Sequence, residues 1–121
     1  MNADTFRAQT VRLFLLFSML ADAAPYEAIL DAAITEMRQE LRPNADPYDV
    51  RLCWYAAAIA NLRYRQMLAA QSAVSPTYAG AALSARDSSQ PCGFAERLVT
   101  AYRNAAADLL CDRRFVFAGM L

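Results

Sequence analysis

The chain has 121 residues, the size of one domain, and at that length roughly 65% of the unfolded surface is buried on folding without help from a disulfide or metal. Twelve arginines balance twelve acidic residues to a formal charge of zero, and the chain has neither lysine nor histidine. With only 3 Gly and 5 Pro, and with Ala supplying 26 of its apolar residues, it is neither collagen-like, linker-like nor disordered.

The first predicted helix spans about residues 4–21, with Asp4 or Thr5 as its cap. Phe6, Leu13, Phe17 and Leu20 recur on one side, and Phe14, Leu15, Leu16 and Met19 spread round the rest. Such a helix calls for burial on more than one side. The apolar run Val11–Leu20 contains Arg12 and is too short for a membrane span, which takes about 20 residues. Ala21-Asp22-Ala23 has the form of a signal-peptidase site. Asp4, and Arg7 as the sole cation before the run, fit a signal peptide poorly, so a cytoplasmic location is expected.

The second helix, about 25–42, opens on Pro25 and closes at Pro43. Tyr26, Ile29, Leu30, Ala33, Ile34, Met37 and Leu41 form one apolar stripe. The third helix, about 47–70, starts at Asp46-Pro47-Tyr48-Asp49 and is almost wholly apolar from Val50 to Leu62. Ala56, Ala57, Ala58 and Ala60 suit close neighbours, so this is the expected central helix. Ser, Gly and Pro residues over 71–90 predict a long loop with room for a short hairpin. The fourth helix, about 91–112, carries Phe94, Leu98, Ala101, Tyr102, Ala105 and Leu109 on one stripe, and Val99, Ala106 and Leu110 on a second. Phe115–Leu121 is an apolar tail that needs a groove. The expected fold is all-α, a small four-helix bundle in a single domain, 1–121.

The side-chain inventory excludes most catalytic schemes. Without histidine there is no Ser–His or Cys–His nucleophile pair and no histidine zinc site. Without lysine there is no Schiff-base amine or phosphate-loop lysine. Cys53, Cys92 and Cys111 are odd in number and widely spaced, which is no disulfide framework; Cys53 and Cys111 are expected in the core and Cys92 near a loop end. Arg63 and Arg65 flank Tyr64 but sit two apart on a helix and so point apart. Asp46 and Asp49 suit helix capping; Glu36 with Glu40, and Asp108 with Asp112, suit surface charge. Trp54, Tyr55, Tyr64 and Tyr102 suit core packing. No catalytic, cofactor-binding or metal-ligating residue is therefore assigned, and no cofactor is expected. Helices one, three and four together present more apolar surface than one core needs, which points to self-association or partner docking.

The order of several elements resembles the phage and prophage head–tail connector (head-completion adaptor) family. They are the stripe Tyr26–Leu41, the link Leu41-Arg42-Pro43-Asn44-Ala45-Asp46-Pro47, the Ala-rich helix Arg51–Leu68, and Ser84-Ala85-Arg86-Asp87-Ser88-Ser89. Ala95-Glu96-Arg97-Leu98, Ala105–Leu110 and Arg114-Phe115-Val116-Phe117 complete the pattern, which covers roughly three quarters of the chain. The resemblance implies a structural, non-enzymatic protein that forms a homo-oligomeric ring on a portal or tail protein, in the host cell and the virion. DNA would pass through without sequence reading, the 72–90 segment would face the channel or the next ring, and no membrane or small-molecule substrate would be involved. The alternative is a small helical protein-binding, adaptor or regulatory module.

Overall fold

The computed structural model describes residues 1–73 and 78–111, with the side chains of 1–72 and 92–111. Four helices follow in order: α1 (Ala3–Ser18), α2 (Glu27–Gln39), α3 (Val50–Ala73) and α4 (Tyr78–Ala105). A 3₁₀ turn at Ala24–Tyr26 leads into α2, and another at Ala107–Leu109 follows α4. No strand occurs among the described residues; Leu41 and Leu110 form one isolated antiparallel bridge. The fold class is all-α, a small helical bundle with the expected number of helices.

Helix α3 is the axle, and each of the other three packs along it. Phe6 approaches Cys53 while Phe14 meets Tyr64, so α1 runs parallel to α3. Glu40 meets Tyr55 and Glu36 meets Arg63, so α2 runs antiparallel. Tyr102 lies against Trp54 and Ala105 beside Arg51, so α4 is antiparallel too. The result is an up-down-up-down bundle. Ala56, Ala57, Ala58 and Ala60 are fully buried, because helices can close on α3 from several sides only where its side chains are short. Larger groups fill the space between: Phe14, Tyr26 and Tyr64 form an aromatic cluster with centroids 5.1–6.2 Å apart, and Phe17 stacks on Tyr102 at 5.7 Å.

The apolar surplus expected on α3 is absent between Leu52 and Ala60. Leu52 through Ala60 are buried within the one chain, apart from the half-buried Trp54. In α1 the innermost face is Phe6–Thr10–Phe14–Ser18 rather than Phe6–Leu13–Phe17–Leu20, which shares only Phe6 with it. Thr10 and Ser18 are tolerated there because their hydroxyls donate to Phe6 O at 2.9 Å and Phe14 O at 2.6 Å. The stripe of α2 is as expected: Leu30, Ala33, Ile34 and Met37 are buried. The inward stripe of α4 is Ala95, Val99 and Tyr102, continued past its end by Ala106 and Leu110, so the expected second stripe of Val99, Ala106 and Leu110 faces the core, while Phe94, Ala101 and Ala105 of the first face out. Phe94 had anchored the expected phase, and Ala95 carried no signal in the sequence.

Helix ends also differ. Asn2, not Asp4 or Thr5, caps α1, its Oδ1 accepting from Thr5 N at 2.8 Å. The helix stops at Ser18, since Met19 adopts a left-handed backbone with φ 62°. Asp46 organises a turn before α3 by accepting from Tyr48 N at 3.0 Å, and Asp49 accepts from Arg51 N at 2.9 Å where the helix begins. Much of the segment read as a loop over 71–90 is helical. Residues 71–73 finish α3, 78–90 belong to α4, and 74–77 lie outside the described residues. Ala79, Ala81, Ala82, Leu83, Ala85 and Arg86 are strong helix formers that outweigh the serines and Gly80. Pro91, expected at a first helical turn, sits inside α4, where it has no N–H to donate. The helix ends at Ala105 rather than near 112, and the tail from 112 lies outside the described residues.

Two substitutions test the axle. Phe14→Ala should cost about 3–5 kcal/mol in urea unfolding, because it empties the aromatic cluster. Ala57→Leu should cost about 1–3 kcal/mol by overpacking, even though it adds apolar bulk.

Candidate functional site

Two regions hold the chain's unusual chemistry. One is a polar clasp that ties the α2–α3 connection to the end of α4. Tyr55 donates its hydroxyl to Glu40 Oε2, and Arg103 Nη1 donates to Glu40 Oε1 at 3.0 Å and to the Tyr55 oxygen at 3.3 Å. Arg103 Nη2 reaches Cys111 O at 3.2 Å. The backbone closes the clasp through Cys111 N to Glu40 O at 2.8 Å and Arg42 N to Leu109 O at 3.0 Å, and Arg42 Nε adds a bond to Leu110 O at 2.6 Å. Beside it, Arg51 bridges Asp49 and Asp108, with Nη1 to Asp108 Oδ1 at 2.7 Å. Hydrogen bonding from Arg51 holds both carboxyls below the usual carboxylate range.

Glu40 is the main surprise. Its spacing from Glu36 places it on an exposed or flanking face of the helix, yet it is only 7% exposed. Its position at the C-cap of α2 turns it inward toward Tyr55. Glu36 is on the surface, paired with Arg63 at 3.0 Å. Arg65 bonds instead to Ser18 O at 3.0 Å, so the two arginines beside Tyr64 do point apart. Tyr55 and Tyr64 are core residues, and Trp54 and Tyr102 pack against the core. Cys53 is buried, and burial pushes its thiol pKa up. Cys111 is exposed rather than in the core, because the chain has left the helix before reaching it. Cys92 is half-buried within α4, and Asp112 lies outside the described residues. Among the described residues no group of three Cys, Asp or Glu converges as a metal site requires.

The second region is a cleft of about 480 Å³ at the end of the bundle where α1 finishes, lined by Phe17, Asn61, Arg65, Phe94, Ala95 and Leu98. Asn61 is 4% exposed, and its Oδ1 has no hydrogen-bond partner among the described residues. Phe94 stands on the rim at 64% exposure, with the Arg97 guanidinium 5.3 Å from its ring centre. A neighbouring trough, lined by Gly93, Glu96, Arg97, Thr100 and Ala101, lies along α4. The clasp lines neither. Sequence reading missed the cleft, since Asn61 looked like one polar residue in a core helix. Its only signal was a carboxamide in the middle of an otherwise apolar run.

No protein-family model, no curated protein and no solved structure matches the chain. No helix among the described residues is long and apolar enough to cross a membrane.

The clasp has a pH signature. Burial, followed by the Glu40 contact, pushes the Tyr55 hydroxyl pKa from 10 up to about 12. Between those values the unfolded chain releases this proton while the folded chain keeps it. The contribution is therefore complete below pH 10 and is lost as pH rises toward 12. Unfolding free energies from urea titrations compared at about pH 9 and about pH 11 should fall further for the native chain than for Tyr55→Phe, by about 1 kcal/mol.

Proposed function

We propose that this chain is a non-catalytic assembly protein, and specifically a head–tail connector of a phage or prophage that forms a homo-oligomeric ring between portal and tail. In this reading it acts in the host cell and the virion, and DNA passes the ring without sequence-specific contact. The resemblance of element order supplies the specific role. The structure's support is for docking in general, and it comes chiefly from Met19.

Met19 is 85% exposed and holds a left-handed backbone that favours glycine or asparagine. Its N–H bonds to Leu15 O, and Leu20 N bonds to the same carbonyl at 3.2 Å, so the helix stop needs the backbone and not the side chain. A long apolar side chain gains little from its own protomer there. Leu16, 65% exposed, lies one turn earlier, and Phe94 is at the same end of the bundle. Met1 and Val50 are exposed at the opposite end. Two unlike apolar patches at opposite ends permit head-to-tail contact, the arrangement that closes into rings when the rotation allows.

A second reading, a helical adaptor that engages one partner as a monomer, is favoured by the cleft at Asn61. Stability and association measured together separate the two. Met19→Gly should stabilise the protomer by about 1 kcal/mol through relief of the left-handed strain. In sedimentation velocity across a concentration series, it should weaken self-association. A chain that stays monomeric at every concentration and does not attach to portal-bearing heads would contradict the connector reading.

A further inference from the structure

We infer that the cleft between α1, α3 and α4 is a recognition site for an extended peptide of a partner protein, one carrying aromatic side chains flanked by acidic residues. The inference starts from Asn61. Leaving a buried amide oxygen unpaired costs stability, and an apolar side chain of similar size would avoid the cost. Asn61 also lines the cleft. A carboxamide carries one acceptor and two donors side by side, the complement of a peptide group, which offers N–H and C=O.

The rest of the lining fits the same guest. Phe17, Phe94, Ala95 and Leu98 form apolar walls suited to an aromatic anchor. Phe17 is fixed by stacking on Tyr102, so its wall is pre-formed. Arg65 lines the cleft and Arg97 caps the Phe94 ring, and no carboxylate is among the described residues that line it. That charge favours acidic flanks on the peptide. The cleft is an open trough, as the exposure of Phe94 shows. A small molecule held there would remain largely in water, whereas pockets for small ligands enclose most of the ligand surface. Extended peptides bind in open grooves through backbone pairing and side-chain anchors. Copies that associate through Phe94 would compete with the peptide, so binding is measured in dilute protein.

The test uses the full chain and its single tryptophan. Trp54 lies 5.9 Å from Tyr102, which stacks on Phe17, so its fluorescence reports on the cleft. The probe is an acetylated, amidated peptide with phenylalanine at alternate positions and glutamate at both ends. Saturable binding is expected, about tenfold weaker for Phe94→Ala, whose exposed side chain is not needed for folding. Asn61→Leu should also weaken binding about tenfold while raising the urea midpoint, because it removes the unpaired oxygen. Replacing the glutamates of the probe by lysines should weaken it as well. No saturable binding, binding indifferent to Phe94 and Asn61, or equal binding of the lysine peptide would overturn the inference. So would decanoate binding with the same dependence on Phe94, which would assign the cleft to amphiphiles.

Discussion

The architecture rests on how closely three helices approach α3. Four buried alanines let them do so, and each helix then contributes one face to a shared interior. This constraint explains why α1 uses Thr10 and Ser18 on its innermost line: small side chains shorten the gap, and their hydroxyls are satisfied within their own helix. It also explains where the aromatic rings lie. They gather at Tyr64 and Tyr102, at the margins of the alanine-lined contact, where the helices leave more room.

Packing along an axle leaves the ends of the bundle to other devices. At one end the polar clasp joins chain segments far apart in sequence, through Glu40, Tyr55, Arg103 and the bridge between Leu41 and Leu110. Its groups are largely committed to one another, and it opens onto neither cleft. At the other end the molecule leaves Leu16, Met19 and Phe94 uncovered and keeps an unpaired amide oxygen in a trough. One end thus invests polar groups in closure, and the other carries features that cost the protomer stability. Features of the second kind are where docking is most reasonably sought.

The sequence made some of this legible. Helix α2 was readable because Leu30, Ile34 and Met37 are large, recur at helical spacing and face one neighbour. The central role of α3 followed from its apolar run and its alanines. In α4 the stripe of Val99, Ala106 and Leu110 does face the core, but the stripe led by Phe94 is misphased, because Phe94, the largest apolar residue in that stretch, faces out while Ala95 faces in. The start of α4 at Tyr78 is hidden in the sequence because Ser, Gly and Pro91 are helix breakers by type, while the alanines between them favour the helix. Glu40 and Asn61 could not be placed from periodicity. The first turns inward only because a helix ends there, and the second matters through neighbours from two other helices. The surplus of apolar surface was overestimated, because a helix enclosed on several sides consumes apolar residues all round.

The central claim is that one chain completes its own core and keeps its two exposed apolar ends, around Met19 and Phe94 and around Met1 and Val50, for contact with others. Hydrogen exchange read by mass spectrometry on the full chain, from dilute to concentrated, addresses it directly. Amides of residues 52–60 should be the slowest at every concentration, and added protection on association should fall on residues 13–20 and 92–98 at one end and on the first turns of α1 and α3 at the other. Rapid exchange across 52–60 in dilute protein, slowing only as copies assemble, would show that the core is not complete in one chain and would contradict the account.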